Sequence, residues 1–248
     1  PILGNMPGGL ELLPNKHYRD NNNRREWLVV TEDGNVILAL PRSDPYTEIY
    51  RIQGPGHETT APERRYWGLI DPDLLDPGNN IPAGTNVNDR DALDADSRMS
   101  PWDQYLNILA KAESFQNAIG TKAHPDTYTF HGTGHTSADR IHMDVETVWI
   151  EWDPYPKRGF RGRYTNIQGE ARRALLQDPA GDGDGTVPVS SSTALDRGAK
   201  RPPPPTGVNA EHEPAYNNDD ARQFSVRAIA ALCAKYYEEK RGKKIGTG

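Results

Sequence analysis

Residues 181–192 read Gly181-Asp182-Gly183-Asp184-Gly185-Thr186-Val187-Pro188-Val189-Ser190-Ser191-Ser192. Glycine loses much backbone entropy in a helix or strand, and short aspartates compete for backbone hydrogen bonds, so this composition disfavours the interior of either element. It predicts a tight turn instead. Strand-compatible and hydroxyl residues follow from Thr186 onward. We therefore expect Asp184 at the mouth of an ordered element, with its carboxylate directed at a partner.

The candidate partner is His212, which lies downstream of this loop and just ahead of a patterned terminal helix. A serine nucleophile needs a base to take its proton, and the base needs a carboxylate that fixes its tautomer. The order acid then histidine is also how the Ser, Asp, His triad of α/β-hydrolases ends. Asp184 and His212 are therefore the candidate acid and base, and Asp182 is the alternative acid.

The same residues resemble known enzymes. Residues 183–188, followed by a histidine in a later loop, are similar to the lecithin:cholesterol acyltransferase-like branch of the α/β-hydrolases. Residues 7–16, 41–46 and 127–132 resemble more closely the type VI secretion lipase effectors. Within these, the chain looks most like the C-terminal portion of the third family of antibacterial phospholipases.

This resemblance implies an α/β fold, namely the C-terminal part of an α/β-hydrolase sheet with large loop or lid insertions and small β-hairpin excursions, in one domain over residues 1–248. It implies that Asp184 orients His212, that no cofactor is required, and that the substrates are ester bonds of membrane phospholipids in a rival bacterium. The implied partners are the N-terminal half of the same enzyme, a type VI spike protein and an immunity protein. The implied location is outside the producing cell, in the periplasm of a target cell.

The nucleophile is missing from this pattern, because no Gly-x-Ser-x-Gly motif occurs in the sequence. Residues 190–192 belong to the acid loop, and Ser43, Ser100 and Ser225 stand in turn or helix-start contexts rather than between a strand and a helix. The chain also opens on Pro1 rather than on an initiator Met. We therefore expect the nucleophile and the oxyanion hole in an absent N-terminal half, and an isolated chain that is inactive. Acyl transfer to an alcohol and a non-catalytic binding module stay open as alternatives.

Composition excludes several classes of function. Only 35% of the residues are hydrophobic, and the 23 Gly and 21 Pro require a large share of loop. The net charge of −6 argues against a nucleic-acid partner, whose phosphates would need a basic face. No apolar run reaches the roughly 20 residues that span a bilayer, and no signal peptide is visible. A single cysteine, Cys233, excludes an internal disulfide framework, and we expect it to be a small packed residue.

Parts of the sequence are also compatible with other kinds of functional site. Residues 182–186 imitate the Asp-x-Asp-Gly-Thr loop of haloacid-dehalogenase phosphatases, but residues 176–180 do not supply the apolar strand that precedes that loop. A zinc site could be built from His131, His135 and His142. We expect these histidines to be polar residues around the rim of the cleft instead.

Calcium is a further alternative, suggested by Asp178, Asp182 and Asp184. The twelfth position of a calcium loop carries a bidentate Glu, whereas counting from Asp178 or Asp182 leads to Val189 or Thr193. A regular calcium loop is therefore excluded, and an irregular one stays open. No metal ligand is assigned.

Several elements follow from periodicity and turn chemistry. Residues 27–30 and 36–40 flank an Asp-Gly turn and predict a hairpin outside the main sheet. Residues 53–97 are rich in Pro, Gly, Asn and Asp and predict a lid-like insertion or a plain surface loop. Ser100 and Pro101 begin a helix. Its predicted buried face holds Trp102, Tyr105, Leu106, Leu109, Ala112 and Ile119.

The remaining elements lie around the candidate site. Residues 127–131 predict a strand that ends in glycines, and residues 145–152 alternate like part of a second hairpin. Residues 197–209 contain four consecutive prolines and predict an extended connector. A terminal helix capped by Asp219 or Asp220 follows, and residues 240–248 are expected to form a frayed tail.

Overall fold

The computed structural model describes residues 6–54, 67–75, 100–120, 122–124, 126–147, 162–167, 170–194 and 206–245. The α-helices in these ranges are α1 Pro7–Glu11, α2 Pro72–Leu75, α3 Pro101–Ile119, α4 Val189–Ser192 and α5 Asp219–Ile245. The strands are β1 Leu28–Glu32, β2 Asn35–Leu40, β3 Phe130–Thr133, β4 His135–Ser137, β5 Ile141–Thr147, β6 Gly162–Ile167, β7 Glu170–Leu176, β8 Gly181–Gly183 and β9 Thr206–Asn209.

The chain divides into two compact units. Unit 1 consists of Pro1–Tyr18, Arg24–Gly120 and Ile141–Asp178. Unit 2 consists of Arg19–Asn23, Thr121–Arg140 and Pro179–Gly248. Both candidate residues, Asp184 and His212, belong to unit 2.

Unit 1 contains a five-stranded sheet in the order β2-β1-β5-β7-β6. Strands β1 and β5 are parallel, and the other neighbours are antiparallel. The predicted hairpin is β1 and β2, joined at Asp33 and Gly34, whose φ angles of 49° and 76° are those of the tight turn that an Asp-Gly pair favours. Its predicted position outside the main sheet is wrong, because β1 pairs with β5 and the hairpin forms one edge of the five-stranded sheet. The alternating stretch 145–152 is described only where β5 ends.

Helix α3 begins as predicted, because the Ser100 hydroxyl accepts a hydrogen bond from the Asp103 N–H at 3.1 Å. Its buried residues are Trp102, Tyr105, Leu109 and Ala112. Ile119, which was predicted on the same face, is 42% exposed, since the buried stripe ends about two turns earlier. Leu106 is partly buried and packs against the core, and the other four positions of the predicted face are confirmed as buried.

The predicted insertion 53–97 is described only at 53–54 and 67–75. There, Gln53 and Ile70 form a β-bridge, Ile70 is 5% exposed, and helix α2 follows. This part is therefore packed into unit 1, and the remainder of the predicted insertion lies outside the described residues.

Unit 2 contains two small sheets. Strands β3 and β9 pair in parallel, from Phe130 opposite Thr206 to Thr133 opposite Asn209. Strands β4 and β8 pair antiparallel. The strand predicted at 127–131 thus begins later, at Phe130. The end of the predicted connector 197–209 is strand β9, and the proline run lies outside the described residues.

Helix α5 differs from its prediction at both ends. The Asn218 side-chain oxygen accepts hydrogen bonds from the N–H groups of Asp220 and Ala221 at 2.9 and 3.3 Å, so Asn218 is the cap rather than either aspartate. The helix continues through Ile245, into the stretch predicted as a frayed tail. Cys233 is exposed on this helix, so its predicted packed position is wrong. None of the described helices is both long enough and apolar enough to cross a lipid bilayer.

Candidate acid and histidine site

The parallel pair of strands explains why the two candidate residues meet. Strands β3 and β9 end at the same edge, at Thr133 and Asn209. After β3, Gly134 turns the chain with a φ of 82° into β4, where His135 pairs with Gly183 and forms a further bridge to Asp184. After β9, the chain enters the loop that carries His212. In open α/β sheets, functional loops gather outside the carboxyl ends of parallel strands, and both candidate residues lie there.

Asp184 and His212 are hydrogen-bonded twice. The carboxylate oxygen Oδ2 of Asp184 lies 2.9 Å from Nδ1 of His212. The backbone N–H of His212 also donates to the carbonyl oxygen of Asp184 at 2.9 Å. The Asp184 side chain is 13% exposed and the His212 side chain 48% exposed. The acid is thus sheltered in its loop, while the imidazole stays accessible to a reacting group.

The acid loop holds the other carboxylate oxygen. Oδ1 of Asp184 accepts hydrogen bonds from the N–H groups of Thr186 and Val187 at 2.9 and 2.6 Å. The N–H of Asp184 donates to the carbonyl oxygen of Val187 at 3.3 Å, which closes the turn. Gly185 occupies the position with a φ of 89°, where other residues are strained. The turn therefore fixes the direction of the carboxylate and leaves Oδ2 for the imidazole.

This environment lowers the pKa of the Asp184 carboxyl. Burial alone would raise the pKa, but hydrogen bonds from the Val187 N–H, from His212 and from the Thr186 N–H outweigh it. The carboxylate is therefore ionised at neutral pH. With Nδ1 of His212 donating to that carboxylate, Nε2 is the basic nitrogen of the imidazole. An anionic carboxylate on one ring nitrogen and a basic second nitrogen is the arrangement that general-base catalysis requires.

Two glycines make room for the acid loop. A Cβ atom on Gly132 would lie 2.6 Å from the carbonyl oxygen of Ala210 and closer still to Cβ of Asp184. A Cβ atom on Gly183 would lie 2.7 Å from Cβ of Ser137 and would overlap its hydroxyl. The buried Ser137 hydroxyl in turn accepts a hydrogen bond from the Gly185 N–H at 2.9 Å. The residues that follow β8 and β9 therefore approach Gly132, and β4 approaches Gly183, too closely for a side chain at either position.

The alternative acid, Asp182, has a different contact. Its Oδ1 accepts a hydrogen bond from the Gly134 N–H at 2.7 Å, so it holds the turn between β3 and β4. Asp184, and not Asp182, is hydrogen-bonded to His212. The two aspartates of the phosphatase alternative thus have different partners, since Asp182 binds a backbone N–H and Asp184 binds its own turn and His212.

The histidines of the zinc alternative are spread over both units. His142 lies in unit 1, with Nε2 3.0 Å from the Thr31 hydroxyl and 3.5 Å from Asp144. In unit 2, Nδ1 of His135 lies 4.0 Å from Glu211, and the buried Nδ1 of His131 has no hydrogen-bond partner in the described part of the chain. Within the described ranges, no three His, Cys, Asp or Glu side chains are grouped to hold a metal ion.

The serines weighed as nucleophiles, all within the described residues, are engaged elsewhere or belong to the acid segment. The hydroxyls of Ser43 and Ser225 donate to Glu48 and to the carbonyl oxygen of Ala221. Ser100 caps α3, and the serines at 190–192 form helix α4. None of these settings is a turn between a strand and a helix that presents a hydroxyl.

Sequence reasoning singled out Asp184 and His212 but missed the residues that support them. The sequence places Gly132 at the end of a strand and in the effector-like stretch 127–132 but gives it no role at the acid loop, and the buried Ser137 carries no motif. A third residue at the acid loop, Asn21, donates to the carbonyl oxygen of Asp182 and accepts from the Ser190 N–H, yet it lies far from the loop in sequence, in a run of three asparagines. Only the asparagine run was an available signal, since asparagine favours turns with side-chain hydrogen bonds.

Comparison with solved structures finds a similar fold. The chain is similar to one in the crystal structure of the Tle4–Tli4 complex, with a TM-score of 0.60 and 20% sequence identity. The match covers 92% of this chain and 46% of that chain. The chain thus spans about half the length of the one it matches. No family model matches the sequence, and no curated protein matches it. The likeness confirms the predicted α/β fold class.

Proposed function

We propose that this chain supplies the acid and the base of a serine ester hydrolase that cleaves membrane phospholipids, as the C-terminal portion of a type VI secretion lipase effector. The observation that carries the proposal is the bond between Asp184 Oδ2 and His212 Nδ1, at 2.9 Å, made by a carboxylate that its own turn holds in place. The fold likeness to a chain of the Tle4–Tli4 complex supports the effector assignment. The narrower assignment to the third family of such effectors rests on the sequence motifs.

In the proposed reaction, a serine from the other half of the enzyme attacks the ester carbonyl. His212 takes the serine proton at Nε2 and returns it to the leaving alcohol, and water then hydrolyses the acyl-enzyme by the same route. Asp184 holds the imidazole in the correct tautomer and stabilises its protonated form. No cofactor enters these steps.

The partners follow from the same proposal. The nucleophile half of the enzyme completes the sheet and the site, and phospholipid bilayers are the substrate. A spike protein delivers the enzyme to the periplasm of a target cell, and an immunity protein blocks it in the producing cell. The two-protein complex named for the matched structure supports the last of these partners.

The experiment is phospholipid hydrolysis by the full-length protein on mixed phosphatidylethanolamine and phosphatidylglycerol vesicles, with released fatty acid as the readout. His212→Ala is compared with His17→Ala, an exposed histidine of unit 1, and thermal melting confirms that both variants fold. We expect His212→Ala to lose at least about 10⁴-fold in kcat and His17→Ala to keep its activity.

Two results would contradict the proposal. If the folded His212→Ala variant hydrolyses phospholipid at the normal rate, the pair is structural. If the full-length protein releases no fatty acid from any vesicle, the chain is a recognition module rather than half of an esterase. Adding glycerol or a sterol to the reaction distinguishes acyl transfer from hydrolysis. A transferase would form an ester of the added alcohol, whereas a hydrolase releases free fatty acid.

A further inference from the structure

Asn21 contacts both ends of the acid loop. Its side-chain N–H donates to the carbonyl oxygen of Asp182 at 3.3 Å, and its side-chain oxygen accepts from the N–H of Ser190 at 3.0 Å. Asp182 lies in β8, immediately before the acid loop, and Ser190 lies in α4, immediately after it. One amide group therefore spans the residues between which Asp184 is held.

Asn21 is itself anchored by its backbone. Its N–H donates to Oδ2 of Asp139 at 3.2 Å, and Asp139 is 7% exposed. The neighbouring Asp20 is 1% exposed and accepts a hydrogen bond from the Asn22 N–H at 2.9 Å. The bond to Asp139 therefore ties the short segment Arg19–Asn23 to the rest of unit 2, and the bond to Asp20 closes a local turn within it. The Asn21 amide is thus presented from a fixed backbone rather than from a free loop.

We propose that Asn21 is a positioning residue for catalysis, which acts by holding the two ends of the acid loop at the spacing that aims Asp184 at His212. The inference rests on the proposed function of that pair. The turn that orients Asp184 is short and glycine-rich, and inside it the carboxylate is held by the N–H groups of Thr186 and Val187. If the ends separate, those two donors shift, and Oδ2 turns away from the imidazole.

The side chain of Asn21 is exposed, which makes the position testable. Truncation at an exposed site leaves no core cavity, so Asn21→Ala should fold. It removes both side-chain hydrogen bonds and keeps the backbone bond to Asp139. Asn22→Ala is the matched control, because Asn22 is the adjacent exposed asparagine and keeps its backbone bond to Asp20.

The test measures ester hydrolysis by the full-length protein with an activated chromogenic ester, in the natural and in the Asp184→Asn background. We expect Asn21→Ala to lower kcat by about 10- to 100-fold, because small displacements of a catalytic group have effects of this size, with KM changed less than about twofold. Asn22→Ala should stay within about twofold. In the Asp184→Asn background, adding Asn21→Ala should lower kcat by less than about a further twofold. The effects of two substitutions are not additive when the two residues act as a unit.

Amide hydrogen exchange gives a second readout that needs no activity. We expect faster exchange at Thr186 and Val187 in Asn21→Ala and no change in Asn22→Ala. The inference is overturned if Asn21→Ala keeps full activity, or if it lowers kcat by the same factor in the Asp184→Asn background as in the natural protein. Unaltered exchange at the Thr186 and Val187 amides would overturn it as well. If Asp184→Asn itself keeps full activity, the proposed function fails, and the inference fails with it.

Discussion

The chain holds two carboxylates in the same way and uses them differently. In unit 1, Oε1 of Glu48 accepts from the N–H groups of Ser43 and Asp44 and from the Ser43 hydroxyl, and Oε2 accepts from the N–H of Arg42, all between 2.7 and 3.0 Å. In unit 2, Oδ1 of Asp184 accepts from two N–H groups of its own turn, and Oδ2 is given to His212.

The pKa of both carboxyl groups is lowered for a similar reason. Burial raises the pKa of Glu48, but hydrogen bonds from Ser43, Arg42 and Asp44 outweigh it, as the turn and His212 do for Asp184. A lowered pKa alone therefore does not distinguish a carboxylate that closes a loop from one that binds a histidine. The difference is the remaining oxygen, since Glu48 uses both oxygens to close a loop and Asp184 keeps one for an exposed imidazole.

The largest effect expected from this difference between Glu48 and Asp184 is that of Asp184→Asn. The amide still accepts from the turn through its oxygen, but it places a neutral NH₂ group against His212 and no longer stabilises a protonated imidazole. We expect kcat for phospholipid hydrolysis to fall by about 10⁴-fold with little change in melting temperature. Steady-state kinetics of the full-length protein measure this. A loss below about tenfold in a folded variant would place Asp184 with Glu48 as a structural carboxylate.

Gly132→Ala changes the position of Asp184 and not its chemistry. The new methyl group would collide with the Asp184 side chain and with the Ala210 carbonyl oxygen, so we expect about a 100-fold loss in kcat and a destabilisation of about 1–3 kcal/mol. Gly8→Ala is the control, because its added Cβ meets nothing within 4 Å. Kinetics and thermal melting test both variants, and equal behaviour of the two would refute the claimed close approach.

Glu48→Gln should affect stability and leave activity unchanged. Gln would turn an NH₂ group towards the backbone donors, and we expect a loss of about 1–3 kcal/mol at neutral pH. Because the pKa of Glu48 is lowered in the folded state, this stabilisation is complete above the ordinary carboxyl pKa of 4.5 and is lost as the pH falls through the folded pKa. The difference in melting temperature between the variant and the natural protein should therefore disappear at acidic pH. The exposed Glu238→Gln should show no such difference, and a difference independent of pH would contradict the explanation.

Asp182→Asn should have the smallest effect. Its oxygen can still accept from the Gly134 N–H, and no contact links the Asp182 carboxylate to His212. We expect kcat to stay within about threefold of the natural protein, since only one hydrogen bond to a charged acceptor is weakened. The same kinetic assay tests this. A loss comparable to that of Asp184→Asn would show that the choice between the two aspartates is wrong.

Local chemistry explains what the sequence predicted well. The Asp33-Gly34 hairpin, the start of α3 at Ser100 and the acid turn all depend on residues that are close together in the chain. Asp184 and His212 could be paired in advance because their types, order and loop settings match a known triad. The fold class followed from the same resemblance.

Long-range pairing explains what the sequence did not predict. The parallel register of β3 with β9 joins segments far apart in the chain, and the latter segment reads locally as a connector. Ser137 contributes one hydrogen bond and Asn21 two, all between residues distant in sequence, and no periodicity predicts such bonds. The exposed Cys233 was mispredicted because an apolar neighbourhood in sequence does not ensure that a helix face is covered.

The most direct test of the central claim is covalent labelling of the full-length protein by a fluorophosphonate, a reagent that reacts with serines activated by a base. We predict one labelled serine, at least about a 100-fold slower reaction in Asp184→Asn and His212→Ala, and an unchanged rate in His17→Ala. If no serine is labelled, or if Asp184→Asn and His212→Ala react at the natural rate, then Asp184 and His212 do not form the acid and base of a serine hydrolase.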